Sequence, residues 1–367
     1  MQTKLQSLPL EQKVGQLFFV GISGPELDAS ARDLLGEVPA GGICLFARNI
    51  RDRRGCRDLL DGLRNFMPVM PLLSVDQEGG RVDRLRRIMA PMPAAARLRN
   101  EDDAREHARI TAESLRILGF NMNFAPVVDV IDSSRTASDN GLFSRAFGRS
   151  SAEVVQMAGA FLEVSQSKGI IGCLKHFPGL GASEVDSHEE LPAVEIDDGT
   201  IEAFDLCPYI EIPDVRAVMV AHATYPQSRL QEAGESGKLL PASLSKNVIT
   251  GLLRNELKFH GLVITDDLEM GAIVRNYGIG EACVMAIEAG SDMVAICAKP
   301  EAIRQGFAAV HAALDDGRIT ADRIDASLER IARVKAMLAP PPEFDNERLD
   351  ELCHDIAALE ERLGDPA

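Results

Sequence analysis

The stretch Lys175-His176-Phe177-Pro178-Gly179-Leu180-Gly181 ends the apolar run Gly169-Ile170-Ile171-Gly172-Cys173-Leu174 in two ionisable side chains, and Asp186-Ser187-His188 follows in the segment beyond. An aspartate two residues before a histidine can orient the imidazole and support its charged form, which is what a general acid/base needs. Taken alone, Asp-Ser-His is more often a turn or a helix cap, because Asp and Ser favour such positions. Other residues argue for chemistry. Asp76 closes the apolar run 72–76, Asp129 lies just beyond 121–127, His222 closes 217–222, and Asp266-Asp267 ends the run that begins at Leu262. Any one of these could be a structural ion pair or a satisfied core histidine. Several apolar runs that all end in titratable groups point to one charged rim.

The elements that must carry that rim can be read from hydrophobic patterning. Eight short apolar runs recur, at residues 17–22, 42–46, 72–76, 121–127, 170–176, 217–222, 262–266 and 293–297, rich in Val, Ile and Phe and without strict alternation. That is the pattern of parallel strands covered on both faces. Helical periodicity fills the gaps, over 53–66, 102–118, 152–167, 243–257, 280–289 and 321–338. The fold class is therefore α/β, a (β/α)8 TIM barrel with a short C-terminal helical tail. In such a barrel the C-terminal ends of the strands hold the active site. Residues 1–340 are expected to form the TIM-barrel catalytic domain. After Pro340-Pro341-Pro342, residues 341–367 form an acidic tail in which Leu349, Leu352, Ile356, Leu359 and Leu363 make one apolar helical stripe. The stripe is expected to dock on the barrel of its own chain, with pairing to a second chain as the alternative.

Composition removes other classes. With 39 basic and 56 acidic side chains the formal charge is −17, which disfavours nucleic acid and an anionic membrane surface as partners. No stretch approaches the roughly 20 apolar residues of a membrane span, and the N-terminus lacks signal-peptide features. Seven cysteines, an odd number without a CxxC pair, read as reduced thiols and point to the cytoplasm. No GxGxxG follows any strand run, so a dinucleotide cofactor is not expected. Neither metal nor cofactor is expected.

Five segments then match a known family. Val75-Asp76-Gln77-Glu78-Gly79-Gly80-Arg81-Val82, Phe124-Ala125-Pro126-Val127-Val128-Asp129-Val130, Ser144-Arg145-Ala146-Phe147-Gly148, the block from Lys175 to His188, and Thr265-Asp266-Asp267-Leu268-Glu269-Met270 strongly resemble glycoside hydrolase family 3, specifically its single-domain bacterial β-N-acetylglucosaminidases. The resemblance runs in order over roughly residues 8–340. It implies that Asp266 is the nucleophile, that His188 oriented by Asp186 is the general acid/base, and that Asp76, Arg84, Arg145, Lys175, His176 and Met270 bind the non-reducing N-acetylglucosamine. Asp267 reads as a structural neighbour. The implied substrate is an N-acetylglucosaminyl muropeptide in peptidoglycan recycling, cleaved with retention by a monomer or weak homodimer.

The chemistry is coherent without the resemblance. An anionic carboxylate stabilises and can capture an oxocarbenium-like state, while the departing oxygen needs a proton. One departure stands out: the subgroup commonly has a histidine where this chain has Leu180. Three alternatives follow. A β-N-acetylglucosaminide phosphorylase is possible because a histidine, neutral once its proton is given up, does not repel phosphate. A non-catalytic sugar-binding relative is suggested by Leu180. A metal-dependent hydrolase would use His176, His222 and Asp266 as ligands.

Overall fold

All eight apolar runs contribute strands. In chain order these are β1 (Phe18–Gly21), β2 (Gly42–Leu45), β3 (Leu72–Val75), then a small hairpin β4 (Gln77–Gly79) and β5 (Val82–Asp83), followed by β6 (Met122–Asn123), β7 (Ile171–Gly172), β8 (Leu174–Phe177), β9 (Ala217–Val220), β10 (Leu262–Asp267) and β11 (Met293–Ile296). This computed structural model describes residues 5–135, 141–183, 191–234 and 237–364.

The main sheet has the order β7-β6-β3-β2-β1-β11-β10-β9-β8, with every neighbouring pair parallel. Its two outermost strands, β7 and β8, are halves of one apolar run. The first pairs with β6 and the second with β9, so Cys173 between them joins the two edges and closes a barrel. A further parallel bridge links Val127 to Lys175. Strands β1, β2, β3, β9 and β11 are buried at every position, as expected of runs without alternation.

The fourth run is the least regular. Only Met122–Asn123 forms a strand, because Pro126 has no N–H to give to a ladder. Side-chain amides take over. Asn121 Oδ1 accepts from the Leu73 N–H at 2.7 Å while its Nδ2 donates to the Pro71 carbonyl at 3.0 Å.

Helices follow the predicted spans with local causes at their ends. Arg53–Phe66 starts at Asp52, whose carboxylate accepts from the Gly55 N–H, and Glu101–Leu118 starts at Asn100, which accepts from Asp103. The span expected at 243–257 is different: a 3-10 turn at Ala242–Leu244 precedes Asn247–Glu256, which is wound as a π-helix. Its buried face is Val248, Ile249, Leu252 and Leu253, and apolar periodicity, which marks a helical face, does not specify the winding. The helix expected at 321–338 is Ala321–Lys335.

The tail forms the helix Asn346–Leu363, capped by Asp345. Its stripe is covered: Leu349, Leu352, Ile356, Leu359 and Leu363 are all at most 6% exposed. The ion pairs Arg348–Glu113, Arg109–Asp355 and Arg362–Asp103 show it running antiparallel along Glu101–Leu118 of the same chain. Among the described residues no helix is long and apolar enough to cross a membrane.

Because Leu352 is fully buried, Leu352→Ala should lower stability by about 2–5 kcal/mol in urea unfolding. The midpoint should not depend on protein concentration. A concentration-dependent midpoint would place the stripe between chains instead.

Candidate active site

Lys175 is buried, and two carboxylates share its ammonium: Nζ lies 2.8 Å from Asp76 Oδ1 and 2.7 Å from Glu78 Oε1. Burial works against the charge, but Asp76 and Glu78 outweigh it and the pKa is raised. Glu78 is in turn gripped by Arg145, with Nε at 2.7 Å from Oε2 and Nη2 at 2.9 Å from Oε1. Burial would push Glu78 up, yet Arg145 and Lys175 hold it far below the usual carboxylate range. Two anions and two cations alternate along this chain, so it carries charge into the interior without a net excess.

Local sequence explains how Glu78 reaches this position. Gly79 and Gly80 have φ of +94° and +57°, left-handed values that let the chain reverse between β4 and β5. The neighbouring Gln77 is held by Asn123, whose Oδ1 accepts from the Gln77 N–H and whose Nδ2 donates to the Gln77 carbonyl, both at 2.9 Å.

A second network lies one residue along β8. His176 Nδ1 is 2.7 Å from Asp129 Oδ2, and Asp129 Oδ1 accepts from the Leu180 N–H at 2.7 Å. One buried carboxylate therefore sets both the histidine ring and the loop after β8. The Leu180 side chain is itself buried. His222 is fully committed: Nε2 donates to the Asp267 carbonyl at 3.1 Å, so Nδ1 accepts from Ser243 Oγ at 2.7 Å. The metal-hydrolase alternative needs a free nitrogen on His222, and its ring has none.

At the tip of β10 two adjacent carboxylates are driven apart. Burial would raise Asp266, but His176, His222, the Asp267 N–H at 2.8 Å and Lys175 outweigh it and lower the pKa. Burial also pushes the His222 pKa down. Asp267 goes the other way. Burial, with Glu269 and Asp266 close by, pushes it up to about 7 despite N–H donors from Glu269 and Cys297. Met270 is buried at the start of the following helix, Gly271–Tyr277.

A family profile described as "Glycosyl hydrolase family 3 N terminal domain" matches residues 9–334. The chain belongs to glycosyl hydrolase family 3. A "Beta-hexosaminidase" of Idiomarina loihiensis is 33% identical over 289 residues, 76% of this chain and 82% of that protein. One from Pseudomonas aeruginosa is 36% identical over 285 residues, 75% and 80% respectively. A glycoside hydrolase family 3 β-N-acetylglucosaminidase from Paenibacillus sp. has a TM-score of 0.85 and 35% identity, covering 96% of this chain and 69% of that one.

As a family 3 member the protein is a glycoside hydrolase, and its substrate is a carbohydrate. The structure brings Asp76, Lys175 and Arg145 into one network and His176 into a second, with both networks acting to lower the pKa of Asp266. Arg84 stands apart from both. Its guanidinium lies 5.9 Å from the Phe46 ring centroid, and its buried Nε has no hydrogen-bond partner among the described residues. Asp186 and His188 lie outside the described residues. Two residues central to the geometry had no specific role assigned from the sequence: Glu78, which stood only within a quoted motif, and Asp129, which was marked only as one titratable group of the rim. Glu78 stood in the Asp76-Gln77-Glu78-Gly79-Gly80 segment, where a Gly-Gly turn signal marks a reversal that could have flagged it.

The Asp267 carboxyl yields a pH prediction. Its folded pKa lies above the unfolded value, so between about pH 4 and 7 the native state binds more protons than the unfolded chain. Its contribution is therefore complete at low pH and is lost as pH rises through about 7. Asp267→Asn cannot ionise and escapes that loss. Relative to wild type, the variant should gain on the order of 1–3 kcal/mol between pH 4 and 8, after discounting for partial exposure. Chemical denaturation at both pH values measures this, and parallel pH profiles would contradict it.

Proposed function

We propose that the protein is a retaining exo-β-N-acetylglucosaminidase that releases non-reducing N-acetylglucosamine from peptidoglycan fragments. Asp266 is the nucleophile and forms the glycosyl-enzyme; His188, oriented by Asp186, is the acid/base. Asp76, Arg84, Arg145, Lys175, His176 and Met270 bind the sugar. The observation that carries this reading is the split at the tip of β10, where Asp266 stays anionic while its neighbour Asp267 is pushed up to about 7. An anion that accepts the Asp267 N–H suits attack on the anomeric carbon, and a neighbour whose carboxyl is pushed up to about 7 is the poorer anion of the two. The relatives named above as β-hexosaminidase and β-N-acetylglucosaminidase support the choice of sugar. Seven free thiols, five of them buried, fit a reducing compartment and favour the cytoplasm.

The test starts with Asp266→Ala, which should abolish turnover while leaving the unfolding transition intact. Wild-type enzyme given a fluorinated N-acetylglucosaminyl donor should accumulate an adduct on Asp266. A label on no residue would point instead to the substrate's own acetamide as nucleophile.

His188→Ala separates the steps. Loss should be severe, about 100-fold or more, on sugar leaving groups that need a proton, and much smaller on aryl groups that leave as stable phenolates. Azide, which needs no deprotonation, should restore turnover of the aryl substrate and give a β-glycosyl azide. Equal loss on both substrates with no azide effect would remove His188 from the role. Running wild type with muropeptides and phosphate, and weighing the products, identifies the aglycone. A sugar 1-phosphate would make the enzyme a phosphorylase.

A further inference from the structure

One buried ion pair at the rim takes no part in either carboxylate network. Arg135 and Asp205 meet at two points, Nη1 to Oδ1 at 2.8 Å and Nη2 to Oδ2 at 2.9 Å. Their side chains are only 7% and 1% exposed. Burial pushes Asp205 up to about 6 in spite of Arg135, and the nearby Asp129 and Asp132 act in the same direction. Such a pair is a weak source of stability, since desolvation offsets attraction, so what it touches is informative.

It touches the segment just past the Lys-His-Phe-Pro motif. Arg135 Nη1 also donates to the Val130 carbonyl at 3.0 Å. Gly181 packs against that same group: a Cβ there would meet Val130 O at 2.2 Å and Arg135 Nη1 at 3.1 Å. Two residues earlier, a Cβ on Gly179 would lie 2.6 Å from Asp205 Cβ and 2.8 Å from Oδ1. Both partners therefore bear directly on the stem, one at each glycine. The Tyr225 hydroxyl donates to the Gly179 carbonyl at 2.8 Å, and the Leu180 N–H donates to Asp129. In sequence this stem leads to Asp186 and His188.

We propose that Arg135 and Asp205 are positioning residues for proton transfer, fixing residues 179–181 so that the chain beyond presents its acid/base. The proposal rests on His188 having that role.

The experiment measures kcat/KM for wild type, Asp205→Asn, Gly179→Ala and His188→Ala on a series of aryl N-acetyl-β-glucosaminides of increasing leaving-group pKa, together with thermal melts. Asp205→Asn loosens the seat and Gly179→Ala lifts the stem off it. Each should lose roughly 10- to 100-fold on the poorest leaving group and less than about 3-fold on a dinitrophenolate. The Brønsted slope should steepen toward that of His188→Ala. A uniform loss across the series, or no loss, overturns the proposal while leaving His188 in place. A flat slope change in His188→Ala itself overturns the acid/base reading, and the proposal with it. Should Asp205→Asn not accumulate as folded protein, Gly179→Ala decides by the same criterion, because it leaves the ion pair chemically intact.

Discussion

A buried ammonium cannot stand alone in a protein interior, and Lys175 organises this site by that requirement. Its two carboxylates come from different places: Asp76 from the end of β3, Glu78 from the hairpin just after it. Glu78 then needs more positive charge than half a lysine, and Arg145 supplies it from the segment before the helix Ser151–Ser167. Removing Lys175 takes away the cation paired with Asp76 and leaves Glu78 with Arg145 alone, and breaking a buried pair in this way costs about 3–5 kcal/mol. The network thus ties the segments that follow β3 and β6 to strand β8. It also leaves a rigid polar floor whose net charge is near zero.

Against that floor the β10 tip shows how environment assigns different states to like groups. Asp266 and Asp267 are chemically identical neighbours. Asp266 lies among cationic and N–H donor groups that offset its burial, whereas Asp267 is buried with Glu269 beside it. The two histidines divide in a similar way. His222 spends both nitrogens on Ser243 and on the backbone of β10, bracing the strand that carries the aspartates, while His176 spends one on Asp129. A histidine at a strand end can therefore be part of the scaffold, and only its partners tell which it is.

The tail illustrates the same distinction on a larger scale. Spacings of 3 and 4 between its apolar residues established a helix with one sticky face. They held no information about what would cover it. Five buried side chains and a ladder of arginine and carboxylate pairs along Glu101–Leu118 supply the answer.

The sequence by itself determined the elements. Apolar runs that become strands buried on both faces, helices begun by Asp, Asn or Ser, and titratable groups at strand ends are local features, set by the hydrophobic effect and backbone hydrogen bonding within a few residues. It also marked Asp76, Asp129, Lys175, His176, His222, Asp266 and Asp267 as rim residues. Only the tertiary structure decided which charges meet. Lys175 and Asp76 are 99 residues apart, Arg145 and Glu78 67, Arg135 and Asp205 70, and His176 and Asp129 47. Periodicity says which face a side chain occupies and nothing about which distant side chain shares it. For the same reason Glu78 and Asp129 emerged as central only once the barrel was closed, and the split between Asp266 and Asp267 arose from burial and neighbours that no linear spacing encodes.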